Sequence, residues 1–147
     1  MRMPAEENEA LLRRFFEEAV NQGDLGVLDE LLAPHYTNHS FHGIEPGPEG
    51  MREILAVFYS AFPDLYVAVE EIFAADERIA SRGTLRGTHR GEFMGLPPTG
   101  EQVRFNYIDI WHSSEGKLVE TWFLMDMLGM MQQLGIRPLL REGESTR

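Results

Sequence analysis

Residues 116–126, GKLVETWFLMD, restrict the fold more than any other stretch of this chain. The run follows a polar Ser113-Ser114-Glu115 turn and alternates as a strand does. Leu118, Glu120, Trp122, Leu124 and Asp126 are expected on one face, with Val119, Thr121, Phe123 and Met125 on the other. Apolar residues fall on both faces, which predicts a strand covered on both sides. Glu120 and Asp126 share the face of Trp122 but stand roughly 20 Å apart at ~3.3 Å per residue, so they are not a pair in contact. Asp126 lies where the strand gives way to the apolar run MLGMMQQLG. Asp is a favoured N-cap, and a capping Asp can also face a pocket.

The 147 residues are expected to form one domain, with a core over about residues 5–135 and a frayed tail beyond Gly135. There is no cysteine, which excludes a disulfide framework, thiolate chemistry and zinc–thiolate sites. A net charge of -11 argues against nucleic acid and against an anionic membrane surface as partners. No apolar run approaches a membrane span, and MRMPAEENEA lacks the apolar region of a signal peptide, so a cytoplasmic protein is expected.

Leu11, Leu12, Phe15, Phe16, Ala19 and Val20 recur at helical spacing, and a short second helix is expected through Leu32. Residues 35–50, HYTNHSFHGIEPGPEG, carry His35, His39 and His42. Pro34 and the Thr, Asn and Ser content argue against a helix there, so these histidines predict a loop or polar pocket wall rather than a metal site. Met51, Ile54, Leu55, Phe58, Ala61 and Phe62 mark the next helix. Strands follow at 65–73, 78–85 and 101–112, with a Gly- and Pro-rich irregular stretch at 87–100. Helices first, then antiparallel strands, then a terminal helix is an α+β order, with a curved sheet wrapped around helices and a pocket between them.

Several phrases, in order along nearly the whole chain, are together similar to the SnoaL-like polyketide cyclases, or ester cyclases, of the nuclear transport factor 2-like superfamily. They are Phe62-Pro63-Asp64, the GTH-x-G of 87–91, the GLPPTG of 95–100, Gly116-Lys117, the Glu120-x-Trp122-x3-Asp126 spacing, and Gln133-Leu134-Gly135. The resemblance implies a cone-shaped α+β barrel, usually a homodimer, that closes the last ring of an aromatic polyketide ester by an intramolecular aldol condensation without metal or cofactor. It also implies Asp126 as general acid/base with His112 beside it, and His39 and His89 at the pocket.

Aldol closure needs a base for an activated carbon acid and donors for the developing enolate oxygen. A carboxylate in an aromatic cavity becomes a stronger base through desolvation. Asp126 near Trp122 meets that demand on the expected parity, while His112, His89, Asn38 and an inward-facing Arg82 supply candidate donors. The expected ligand is a hydrophobic oxygenated small molecule, bound for cyclisation or isomerisation. Two other functions fit the same cavity: a non-catalytic binding protein, and an epoxide hydrolase using Asp109, Arg82 and Asp126. The latter conflicts with parity, since Asp109 faces away if His112 faces in.

Overall fold

The computed structural model describes residues 4–136. Helix α1 (Ala5–Arg14) opens the chain and continues as a π-helical turn over Phe15–Asn21. Leu11, Leu12, Phe15, Phe16, Ala19 and Val20, picked out by their spacing, are all buried. A 3-10 turn (Leu25–Val27) leads into the single turn α2 (Leu28–Leu31) and then into strand β1 (Leu32–Asn38). Helix α3 (Pro48–Ala61) starts with Pro at N1, where its missing N–H costs nothing. Strands β2 (Tyr66–Ala75), β3 (Arg78–Thr88), β4 (Gln102–Ser114) and β5 (Lys117–Met125) follow, and α4 (Met127–Gln133) ends the described chain. The tail expected to fray lies largely outside the described residues.

The strands form one sheet in the order β1-β5-β4-β3-β2. β2 to β5 are antiparallel neighbours, as expected, but β1 pairs parallel to β5. The sheet is therefore mixed, and a segment expected as loop is one of its two edge strands. Pro34 is compatible with that edge, where an absent N–H breaks no ladder bond in the sheet interior.

Two bulges bend the sheet. In β2, Val69 pairs with Gly83 and Glu71 with Arg82, so Glu70 is the extra residue. A Cβ at Gly83 would sit 2.0 Å from the Ala68 carbonyl oxygen, which confines that position to glycine. In β5, Leu118 pairs with Ser113 and Glu120 with His112, leaving Val119 over. An extra residue bends its strand and exchanges the faces beyond it.

Helices α1 and α3 pack on the inner face of the sheet, where Val67, Ile79, Leu85, Phe105, Tyr107 and Trp111 join their apolar stripes in one core. Beyond the end of β5, α4 takes over as the neighbour of β4. The Arg104 backbone N–H donates to Gln133 Oε1 at 2.8 Å, and Gln133 Nε2 donates to the Arg104 carbonyl at 2.6 Å. One side-chain amide thus supplies the pairing that an adjacent strand would have given.

Candidate active site

Parity on β4 decides which chemistry faces the core. Val103, Phe105, Tyr107, Asp109, Trp111 and Ser113 are buried, and the residues between them point outward. Asp109 is a carboxylate in the middle of this inward row, only 1% exposed. Its Oδ1 accepts a 2.5 Å hydrogen bond from Ser81 Oγ on β3, and Ser81 Oγ lies 3.3 Å from Tyr107 Oη. Its Oδ2 has no protein partner. Burial pushes the Asp109 carboxyl up to about 6, against the opposing pull of Ser81 and the nearby Trp111 indole.

Two further buried polar atoms make no hydrogen bond of ordinary geometry: Trp111 Nε1, close enough to Asp109 to oppose the rise of its pKa, and Tyr36 Oη, which interacts in the same loose way with the Asn38 side chain. The Tyr36 ring, on β1, stacks against Trp111 with centroids 6.0 Å apart. Burial foremost raises the Tyr36 pKa, against an opposing interaction with the Asn38 side chain and with a smaller push from the charge of Asp109, so its hydroxyl stays protonated. Unpaired buried polar atoms are rare and costly; of the four among the described residues, three lie on these adjoining side chains and the fourth is His89 Nε2.

Trp111 also walls an apolar cavity of about 50 Å³ together with Phe15, Phe16, Phe123, Thr121 and Asn38. Phe123 is the direct cross-strand partner of Asp109. Phe15 and Phe16 reach the cavity from the π-helical turn, a distortion of the helix that is common beside functional sites. Phe41, in the segment 39–47 between β1 and α3, closes another side and packs edge-on against Phe58.

The residues expected at the site are distributed differently. Beyond the Val119 bulge, Thr121, Phe123 and Met125 face in, while Trp122 is 40% and Leu124 73% exposed. The outer face of β5 is therefore open rather than covered, and the predicted inward orientation of Trp122 is corrected. Asp126 is exposed as well, and its Oδ1 accepts from the Gly129 N–H at 2.9 Å as the N-cap of α4. His112, half-buried on the outer face, donates through Nδ1 to Glu120 Oε2 at 3.1 Å. His39 donates through Nε2 to Glu120 Oε1 at 2.8 Å and stacks on Trp122. These two bonds, His39 first, hold the Glu120 carboxyl below its ordinary value.

Arg82 points outward too, bonded to Glu71 at 2.6 Å and to Glu70 at 3.3 Å. Asp109, Arg82 and Asp126 are thus not brought together as an epoxide hydrolase of the expected kind requires. Of the remaining candidates, Asn38 lines the cavity and its Oδ1 accepts from the Ser40 N–H. His89 is fully buried, but against Phe62 and Thr99. His35 is exposed on β1, and no group of three His, Asp or Glu among the described residues is placed to hold a metal ion. Nor is any described helix long and apolar enough to cross a membrane. Asp109, Tyr36 and Trp111 were missed as a group, although the alternation from Val103 to Trp111 carries Asp109 and Trp111 on one apolar row.

The SnoaL-like polyketide cyclase family model matches residues 10–134. The chain belongs to that family. It is 28% identical over 126 residues to nogalonic acid methyl ester cyclase of Streptomyces nogalater, covering 80% of this chain and 90% of that protein. TsrD from Streptomyces laurentii superposes with a TM-score of 0.84 at 29% identity, over 92% of this chain and 99% of its own. IdmH from Streptomyces antibioticus gives 0.76 at 32% identity, over 88% and 99%. The architecture is accordingly the α+β cone of the nuclear transport factor 2-like superfamily, with a mixed sheet.

Proposed function

We propose that this SnoaL-like protein is a cofactor-independent cyclase in which Asp109 carries the proton. The observation behind this reading is the Asp109 carboxylate itself, buried with one oxygen free of any ordinary hydrogen bond, next to Trp111 and opposite Phe123, which wall an apolar, aromatic cavity. With its pKa raised to about 6, Asp109 is still ionised at neutral pH and is a stronger base than an ordinary carboxylate. It removes a proton from a carbon between two carbonyl groups and becomes the carboxylic acid. The enolate carbon adds to a carbonyl carbon of the same molecule, forming the ring C–C bond while the carbonyl electron pair moves onto oxygen. Asp109 returns its proton to that alkoxide, so the product is an isomer of the substrate and no other reactant is consumed.

A cavity of about 50 Å³ is far below the roughly 300–1,000 Å³ of sites that enclose drug-sized ligands. Entry of a polycyclic substrate therefore requires the cavity walls to move apart. Nogalonic acid methyl ester and related aromatic polyketide methyl esters are the substrates to try, with the cyclised isomer separated by chromatography. Asp109→Asn should lower kcat by about 10²–10⁴-fold. Wild-type turnover by Asp109→Asn would overturn the assignment. Saturable binding of the esters without turnover by the wild type would instead make the protein a carrier.

The homodimer implied by the resemblance is assigned to the outer face of β4 and β5, where Ile108 pairs with Leu124 and Ile110 with Trp122, all exposed. Sedimentation velocity should give a dimer that Leu124→Lys converts to monomer; an unchanged dimer would place the interface elsewhere.

A further inference from the structure

The three orphaned atoms are two donors and one acceptor. Tyr36 Oη and Trp111 Nε1 each offer a proton, and Asp109 Oδ2 offers a lone pair. One hydroxylic oxygen has the complementary valence, since it accepts twice and donates once. We infer that Tyr36, Trp111 and Asp109 form a three-point site for a single enolic or phenolic oxygen of the ligand, with Tyr36 and Trp111 as the donors that hold that oxygen as charge develops on it. The inference rests on the reading of Asp109 as the working carboxylate, and adds to it both a substrate class and two catalytic residues.

Placement supports this assignment. Asp109 and Trp111 are two residues apart on the inner face of β4, and Tyr36 stacks on Trp111 from β1. All three are 2% exposed or less, so a bond made there competes with little bulk water. Phe123, opposite Asp109, and Phe15 and Phe16 around Trp111 provide an apolar wall for the ring bearing the oxygen. Neither donor is a formal cation, so the pair stabilises an enolate oxygen without neutralising the adjacent carboxylate. Donors preorganised in a dry site are worth more than in water, and losing one costs about 10²–10³-fold in kcat.

Phenol is the smallest planar probe of this chemistry. Calorimetry should show saturable phenol binding, with benzene binding at least about tenfold more weakly, the equivalent of 1.4 kcal/mol. The chain has two tryptophans, so a ¹H–¹⁵N spectrum contains two indole signals, which Trp122→Phe assigns. Phenol should move the Trp111 indole proton downfield and leave that of Trp122 in place. Tyr36→Phe keeps the stacked ring and removes only the hydroxyl; it should weaken phenol but not benzene. With an accepted ester it should lower kcat by a larger factor than it raises KM, because the bond strengthens as charge develops on the oxygen. Equal affinity for phenol and benzene, no saturable phenol binding, or an unmoved Trp111 signal would each overturn the three-point site. Should the wild type and Tyr36→Phe bind phenol alike, Tyr36 is no donor. Failure of the proposed function is separate, because it appears as undiminished turnover by Asp109→Asn whatever phenol does.

Discussion

Asp109 on β4 stands directly opposite Phe123 on β5, so the one carboxylate in the inward row of β4 meets an aromatic ring across the ladder. Such a position favours the neutral acid, and its pKa is raised from the ordinary 3.8 to about 6. Because the folded value exceeds the unfolded one, this group's contribution to stability is most favourable below about 3.8. It is lost as pH rises through about 6, with a total change on the order of 3 kcal/mol. Asp109→Asn cannot ionise, and its side-chain carbonyl can still accept from Ser81. Urea unfolding between pH 4 and 8 should therefore show the variant gaining on the wild type as pH rises. A constant difference between the two would mean that Asp109 is not desolvated.

The same shift sets the acid limb of activity. A base works ionised, so kcat/KM should fall as pH drops through about 6, well above the range of an ordinary carboxylate. The residual activity of Asp109→Asn should lack that limb. A wild-type limb near pH 4 would point to an exposed carboxylate as the base.

The helices were legible because Leu11, Phe15, Ile54 and Phe58 repeat at the helical period and bury one stripe. The α+β class followed from the order of the elements, helices first, then a run of strands, then a last helix. The face of β5 was not legible. Counting in twos from Leu118 carries Trp122 and Leu124 inward, but the Val119 bulge inserts one residue and turns them out. Neither glycine nor proline marks that bulge, since it sits at a valine. Strand β1 was hidden for another reason: His35, Thr37 and Asn38 are polar because the strand is at an edge, and its partner β5 is some 80 residues away in the chain, beyond local pattern. On β4 the pattern was sufficient. His112 and Asp109 have opposite parity, and choosing His112 as the inward residue concealed the carboxylate.

Asp126 separates a capping role from a catalytic one. Its carboxylate accepts from the Gly129 N–H while remaining exposed at the start of α4. Asp126→Ala should cost about 1 kcal/mol, the usual loss for an N-cap. Asp126→Asn retains a capping oxygen and should be nearly as stable as the wild type, with turnover unchanged. Loss of turnover in Asp126→Asn at full stability would return the acid/base role to this residue.

Glu120 ties the segment roofing the cavity to the outside of the sheet. It receives His39 from the end of β1 and His112 from β4, and both imidazoles lie against Trp122. Beside this clamp the His39 N–H donates to the Thr121 carbonyl, and the Phe123 N–H donates to Ser40 Oγ. The folded-state pKa of Glu120 is depressed, so its contribution is present above the ordinary value of 4.5 and lost as pH falls through the lower folded value. With about a third of the side chain exposed, solvent screening limits that contribution to under about 1 kcal/mol. Glu120→Gln should therefore change global stability little. It should still speed hydrogen exchange at the His39 and Phe123 amides at pH 7, and the difference from wild type should shrink only as pH falls below 4.5. Unchanged exchange at both amides would mean that the backbone bonds alone hold this segment down.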